Sequence, residues 1–165
     1  MKLRPYVKEV LQNLSRFYEI MVFTASHSAY ANTVIDLLDP EKKIVSRRLF
    51  RDNCFKSKDN ILIKDLRILK NRKLEDIIIV DNSLYCYGFQ LANGIPILPF
   101  LGASNDNQLL ELETFLLKLV TAKDVNKLIS GHFAVNTFEK LCDKQSELLC
   151  GLLEDLNQFS FSSFL

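Results

Sequence analysis

Three polar clusters in this chain follow directly on apolar runs. "EIMVFTAS" ends in Thr24, Ala25 and Ser26, "DNILIKDLRIL" carries Lys64 and Asp65, and "DIIIVDNS" ends in Asp81, Asn82 and Ser83. Each set suits one part of a single chemistry. The Thr24 hydroxyl with the amides of Ala25 and Ser26 can cradle phosphate-like oxygens, and Lys64 offers an ammonium to neutralise them. Asp81 and Asn82 are hard oxygen donors of the kind Mg²⁺ takes. Arg51, in "RRLFRDNC", adds a planar fork matched to phosphate. Singly, each has a plainer reading: Thr24, Ser26, Asp81 or Ser83 as helix N-caps, Lys64 as a solvated charge, Arg51 as a surface side chain. It is the coincidence of the three clusters, in order, that favours a phosphate and magnesium site.

Such groups converge only if the elements behind them are arranged to bring them together. In open parallel sheets, ligands gather outside the carboxyl ends of the strands, where loops and helix N-termini present unpaired N–H groups. The pattern fits that plan. "PYVKEVLQNLSRFY" spaces Val7, Val10, Leu11, Leu14 and Phe17 as one helical face behind a first-turn proline. "EIMVF" then reads as a strand, and "SAYANTVIDLLD" as a helix with Tyr30, Val34, Leu37 and Leu38 on its apolar face, stopped at Asp39-Pro40. "KIVSRRLFRDNC", "DNILIKDLRIL" and "DIIIVDNS" read as extended pieces, and "GIPILPF" as a short strand whose prolines suit a sheet margin. "NQLLELETFLLKLV" is an amphipathic helix, and "GHFAVNTFEKLCDKQSELLCGLLEDLNQF" continues as one or two more. Strands alternating with helices predict an α/β fold with a mostly parallel, Rossmann-like sheet flanked by helices.

Composition narrows the functions. The chain has 165 residues, 48% of them hydrophobic and 25% charged, which suits one compact domain. Its net charge of +1 gives no bulk field toward nucleic acid or an anionic membrane, so direct nucleic-acid binding is not expected. The four cysteines, Cys54, Cys86, Cys142 and Cys150, form no C-x-x-C pair, and two histidines argue against a zinc site. No apolar run approaches the roughly 18 residues of a spanning helix, and the N-terminus lacks a secretory h-region. A nuclear or cytoplasmic location is expected.

From Leu3 to about Phe133 the chain resembles the haloacid-dehalogenase-superfamily phosphatase domain of the type that acts on the C-terminal repeats of RNA polymerase II, the small-phosphatase and NLI-interacting-factor family. "LRPYVKEVL", "VFTAS", "YANTVIDLLD", "RRLFRDNC", "IKDL" and "VDNSLYCYGFQLANGIPILPF" carry the resemblance in order and spacing. It implies a Mg²⁺-dependent serine/threonine protein phosphatase that works through an aspartyl-phosphate. It implies, too, that Thr24 binds the transferring phosphoryl group and Lys64 neutralises it, that Arg51 meets the substrate near its phosphate, and that Asp81 and Asn82 hold the metal.

One departure is large. The family's first strand ends in D-x-D-x-[TV], where one aspartate accepts the phosphoryl group and the other is general acid and base. No such motif occurs in these 165 residues, and covalent transfer needs that acceptor. The expectation is therefore an N-terminally incomplete phosphatase domain over residues 1–133, its sheet short of the first strand, followed by a helical extension over 134–165. Alone, it should be inactive and bind Mg²⁺ weakly or not at all. The rival expectation is a non-catalytic pseudophosphatase or binding module whose extension captures a protein partner through its helix.

Overall fold

The structure is a computed structural model and describes residues 2–133; the expected helical extension over 134–165 lies outside the described residues. Those described group into two units. One comprises residues 2–54 with Ile97–Lys123, the other Phe55–Pro96 with residues 124–133.

In the first unit, α1 (Val7–Leu14) turns Val10 and Leu14 inward and packs on α3 (Gln108–Leu119), which buries Leu116 and Leu119. The Tyr18 hydroxyl ties the end of this helix pair down by donating to the Leu116 carbonyl at 2.6 Å. β1 (Ile20–Phe23) runs parallel to β2 (Val45–Leu49), with Phe23 opposite Leu49. Between them lies α2 (Ser28–Leu38), the crossover helix that a parallel pair requires. Asp39 ends it. The carboxylate is buried and accepts the N–H groups of Lys43, Ile44 and Val45 at 3.0, 2.9 and 2.8 Å. These bonds, that from Val45 first, hold its pKa below the usual carboxylate range against the opposing effect of burial.

The face expected for α2 is corrected. Ala31 and Ile35 are the buried positions, while Tyr30 and Leu37 are 59% and 50% exposed. Apolar residues fall on both sides of this helix, so two stripes about 100° apart satisfy the spacing, and tertiary packing selects one.

In the second unit, β3 (Phe55–Lys56) and β4 (Leu62–Ile63) form a short antiparallel hairpin. Ser57 closes it, its N–H reaching the Ile61 carbonyl at 2.9 Å and its hydroxyl accepting from the Ile61 N–H at 3.1 Å. The strand before Lys64 is thus antiparallel to its partner rather than a member of a parallel ladder. β5 (Ile79–Asp81) pairs in parallel with β6 (Gly94–Pro96), with Ile79 opposite Gly94 and Asp81 opposite Pro96. The proline at the end of β6 fits a position where no further ladder donor is needed.

The β5–β6 connection is a kinked run of 3-10 turns, Leu84–Asn93, with non-helical backbone at Tyr87 and Gln90. It buries Leu84 and Tyr87 against Leu66 and Ile79, with Ile77, Cys86 and Leu91 packed around them. Asn93 staples the start of β5 by donating from Nδ2 to the carbonyls of Leu74 and Ile77 at 2.6 and 2.8 Å. α4 (Val125–Phe133) covers this connection with Ile129 buried, and it begins before the helix expected from Gly131 onward. The architecture is the α/β one expected, with both longer crossovers right for parallel strands.

Candidate functional site

Thr24 follows β1, and its N–H extends that ladder to the Leu49 carbonyl at 2.9 Å. Its hydroxyl accepts from the Ser26 N–H at 3.1 Å. Thr24 therefore organises its own turn; His27 occupies the N-cap position of α2, and makes no side-chain cap bond. Arg51 closes onto the same turn. Its backbone N–H reaches the Ser26 carbonyl at 3.1 Å, Nε donates to the Ala25 carbonyl at 2.7 Å, and Nη1 lies 3.1 Å from His27 Nε2. Thr24, Ala25, Ser26 and Arg51 are thus one cluster, within the first unit. Arg51 is exposed but held at three points, which separates it from an ordinary surface arginine.

Lys64, Asp81 and Asn82 belong to the second unit. The Lys64 backbone N–H donates to the Cys86 carbonyl at 2.6 Å, and its ammonium donates to Asp81 Oδ2. The two side chains are 10% and 9% exposed, so Lys64 is a buried, paired cation and not a solvated charge. Asp81 Oδ1 accepts from the Ser83 N–H at 2.8 Å, while Asn82 is exposed at the tip of the turn. Beside the pair, burial pushes the Cys86 thiol pKa up, and the Asp81 carboxylate adds to this against the pull of Lys64. Burial likewise raises Tyr87 far above the ordinary phenol range, with Asp81 contributing.

The segment carrying Lys64 is fixed by Asp65, its neighbour in the polar cluster, together with Arg67 and Gln90, which the sequence reading did not single out. Asp65 accepts from Arg67 Nε and Nη2 and from Gln90 Nε2, and Gln90 Oε1 in turn accepts the Leu66 N–H at 3.1 Å. Burial raises the Asp65 pKa, and the hydrogen bonds from Arg67 and Gln90 outweigh it and leave a net lowering. The only sequence signal for this lock is an acid two residues before an arginine. Nothing in the pattern points to Gln90 or to His27.

The donor set at the end of β5 is one carboxylate and one amide, and both carboxylate oxygens are engaged, by Lys64 and by the Ser83 N–H. Among the described residues no group of three or more His, Cys, Asp or Glu is placed to hold a metal. Mg²⁺ wants six hard oxygens in octahedral array. These residues by themselves do not fit it.

Residues 1–126 match the family model for the NLI interacting factor-like phosphatase. The chain belongs to this family. Among relatives of the NLI interacting factor-like phosphatase domain, a CTD small phosphatase-like protein 2 of Dictyostelium discoideum is 42% identical over 132 residues, covering 80% of this chain and 23% of its own length. A CTD small phosphatase-like protein 3 of Caenorhabditis elegans is 39% identical over 129 residues, with 78% and 44% covered. The chain therefore spans less than half the length of these relatives. Among solved structures, the RNA polymerase II CTD phosphatase of fission yeast bound to beryllium fluoride superposes with a TM-score of 0.51 at 20% identity, covering 96% of this chain and 50% of that one. That likeness supports the haloacid-dehalogenase type of α/β fold. No helix among the described residues is long and apolar enough to cross a membrane.

Proposed function

We propose that this chain carries the phosphoryl-holding part of a serine/threonine protein phosphatase reaction that runs through an aspartyl-phosphate. The observation that carries this reading is Lys64: an ammonium held in a buried ion pair at the tip of an apolar segment, in a chain of phosphatase lineage. A buried cation facing a transferring phosphoryl group is a large electrostatic contribution, because it needs no reorganisation when charge develops. In this reading Thr24 binds a phosphoryl oxygen with Ser26 bracing its hydroxyl, the Ala25 amide binds another, Arg51 meets the substrate near its phosphate, and Lys64 neutralises the group. Asp81 and Asn82 would contribute to holding Mg²⁺ only together with further oxygen ligands, since both Asp81 oxygens are already engaged; the metal would supply polarisation of the phosphoryl oxygens. Mg²⁺ binds weakly to these residues alone.

The phosphoprotein substrate proposed is the CTD of RNA polymerase II, on which the structurally similar fission yeast phosphatase acts. The reaction needs an acceptor carboxylate that attacks phosphorus as the serine P–O bond breaks, and water then frees phosphate from the acyl phosphate. The printed residues carry no D-x-D-x-[TV] motif to supply it. The chain as printed is expected to hydrolyse neither a phosphoserine peptide nor an aryl phosphate. Fusing a strand bearing that motif ahead of Met1 should restore Mg²⁺-dependent hydrolysis, lowered by orders of magnitude in Lys64→Ala. A folded fusion without turnover under any divalent metal would sink the catalytic reading and leave the pseudophosphatase or binding-module alternative. Turnover by the printed chain that Asp81→Asn abolishes would mean that another carboxylate has taken the acceptor's place.

A further inference from the structure

The link between Arg51 and His27 has no part in the roles assigned above. A guanidinium has five donors and no acceptor, so an Nη1 nitrogen 3.1 Å from His27 Nε2 requires a lone pair on that ring nitrogen. Such a contact calls for the tautomer of the His27 ring that carries its proton on Nδ1. His27 sits at the N-cap of α2, where a side chain ordinarily accepts from the helix amides; here it makes no such bond. Its acceptor faces Arg51 instead. Ala25 holds Nε from the other side at 2.7 Å, and the Ser26 carbonyl fixes the Arg51 backbone. Two edges of the guanidinium are thereby occupied by acceptors of the turn itself. Among the described residues Nη2 has no partner, so both of its hydrogens remain for a ligand.

We propose that His27 is a positioning residue that holds the Arg51 guanidinium as an oriented anion fork beside the Thr24–Ser26 turn. This rests on the phosphate-binding reading given above and adds to it the residue that sets the fork's geometry. An exposed arginine gives up considerable rotamer freedom when it grips an anion, and a side chain already fixed loses less. His27 does not touch the anion. It acts through Arg51 by keeping Nη2 aimed outward.

The test uses the full chain at pH 8, with inorganic phosphate and a phosphoserine peptide as titrants in calorimetry. Long-range ¹H–¹⁵N spectra read the imidazole tautomer without any ligand. The expected result is a proton on Nδ1 of His27, and phosphopeptide binding about five- to tenfold weaker in His27→Leu, the scale of one typical hydrogen bond lost from the positioning of Arg51. His27→Gln, which keeps an acceptor oxygen, should recover most of that loss. In an Arg51→Ala background His27→Leu should add nothing, an outcome that a general structural role would not give. A proton on Nε2, wild-type affinity in His27→Leu, or an undiminished further loss without Arg51 would each overturn the proposal while leaving the phosphate site standing. Failure of the wild-type chain to bind either titrant would remove the phosphate site itself, and the positioning role with it.

Discussion

Replacing Gly94 with alanine isolates one steric contact. Gly94 lies in β6 with φ −91° and ψ 131°, extended backbone that any residue adopts, so the change imposes no dihedral strain. It should even gain about 0.4–1 kcal/mol through the unfolded chain. Against this, an added Cβ would lie 2.0 Å from Tyr87 Cε2, 2.2 Å from Cδ2 and 2.7 Å from Cζ. Carbon atoms rest about 3.5–4.0 Å apart. Ring or strand must therefore move by about 1.5 Å on that spacing. Tyr87 is fully buried among Leu66, Ile79 and Leu84, and the ladder to Ile79 holds Gly94, so neither side yields freely. Overpacking typically costs about 1–3 kcal/mol, and the depth of this overlap places the net loss at the upper end, about 3 kcal/mol. Urea unfolding of wild type, Gly94→Ala, Tyr87→Leu and the double variant measures it. The double variant should be more stable than the sum of the single losses predicts, by at least about 1 kcal/mol, as expected for residues in contact. Gly94→Ala within experimental error of wild type, or strict additivity, would refute the steric argument.

Three further outcomes follow from the geometry. Lys64→Met leaves the Asp81 carboxylate buried without its cation and should cost about 3 kcal/mol or more in urea unfolding, with Asp81→Asn in the same chain recovering part of it. Tyr87→Phe should leave the melting temperature unchanged or raise it, because the Tyr87 hydroxyl is buried with no hydrogen-bond partner among the described residues. Asp39 has a folded pKa below its unfolded value, so its stabilisation is present above the unfolded value of about 3.9 and is lost as pH falls through the folded one. Melting temperatures measured from pH 6 down to pH 2 should fall less steeply in Asp39→Asn than in wild type, and parallel curves would contradict the assignment.

The parts of the site that were legible in the sequence are those where an apolar run meets a polar cluster. Thr24 just after β1 and Asp81 at the last position of β5 stand where the continuous apolar runs put them, because a strand's end is set by local composition. α2 shows the limit of the same logic, since Tyr30 and Leu37 satisfy helical spacing as well as Ala31 and Ile35 do, and only packing decides between them. The Arg51–His27 contact joins residues 24 apart, and Lys64–Asp81 joins residues 17 apart. Neither separation carries a periodic signal, so the chain read in one dimension offers the charges without their partners. The close approach of Gly94 to the Tyr87 ring was hidden for a related reason. A glycine in an extended segment records that something comes near, and says nothing of what.

The hydrogen bonds that close the first unit have a consequence for how the polypeptide is made. Lys2 donates to the Gly102 carbonyl, Arg4 forks onto Asp106 and reaches the Leu98 carbonyl, and Tyr18 reaches the Leu116 carbonyl, spans of 100, 102, 94 and 98 residues. Contacts of such separation are slow to form, because loop-closure entropy is lost before any of them contributes. At the pace of translation, about 5–20 residues per second, α1 emerges several seconds before the helix that covers it. During that interval Val10 and Leu14 have no lasting cover from α3, and the nascent segment is a natural client for chaperones. Arg4, whose guanidinium also lies over the Phe100 ring, is then the latch that records completion: it can engage only after the ribosome has delivered residue 106.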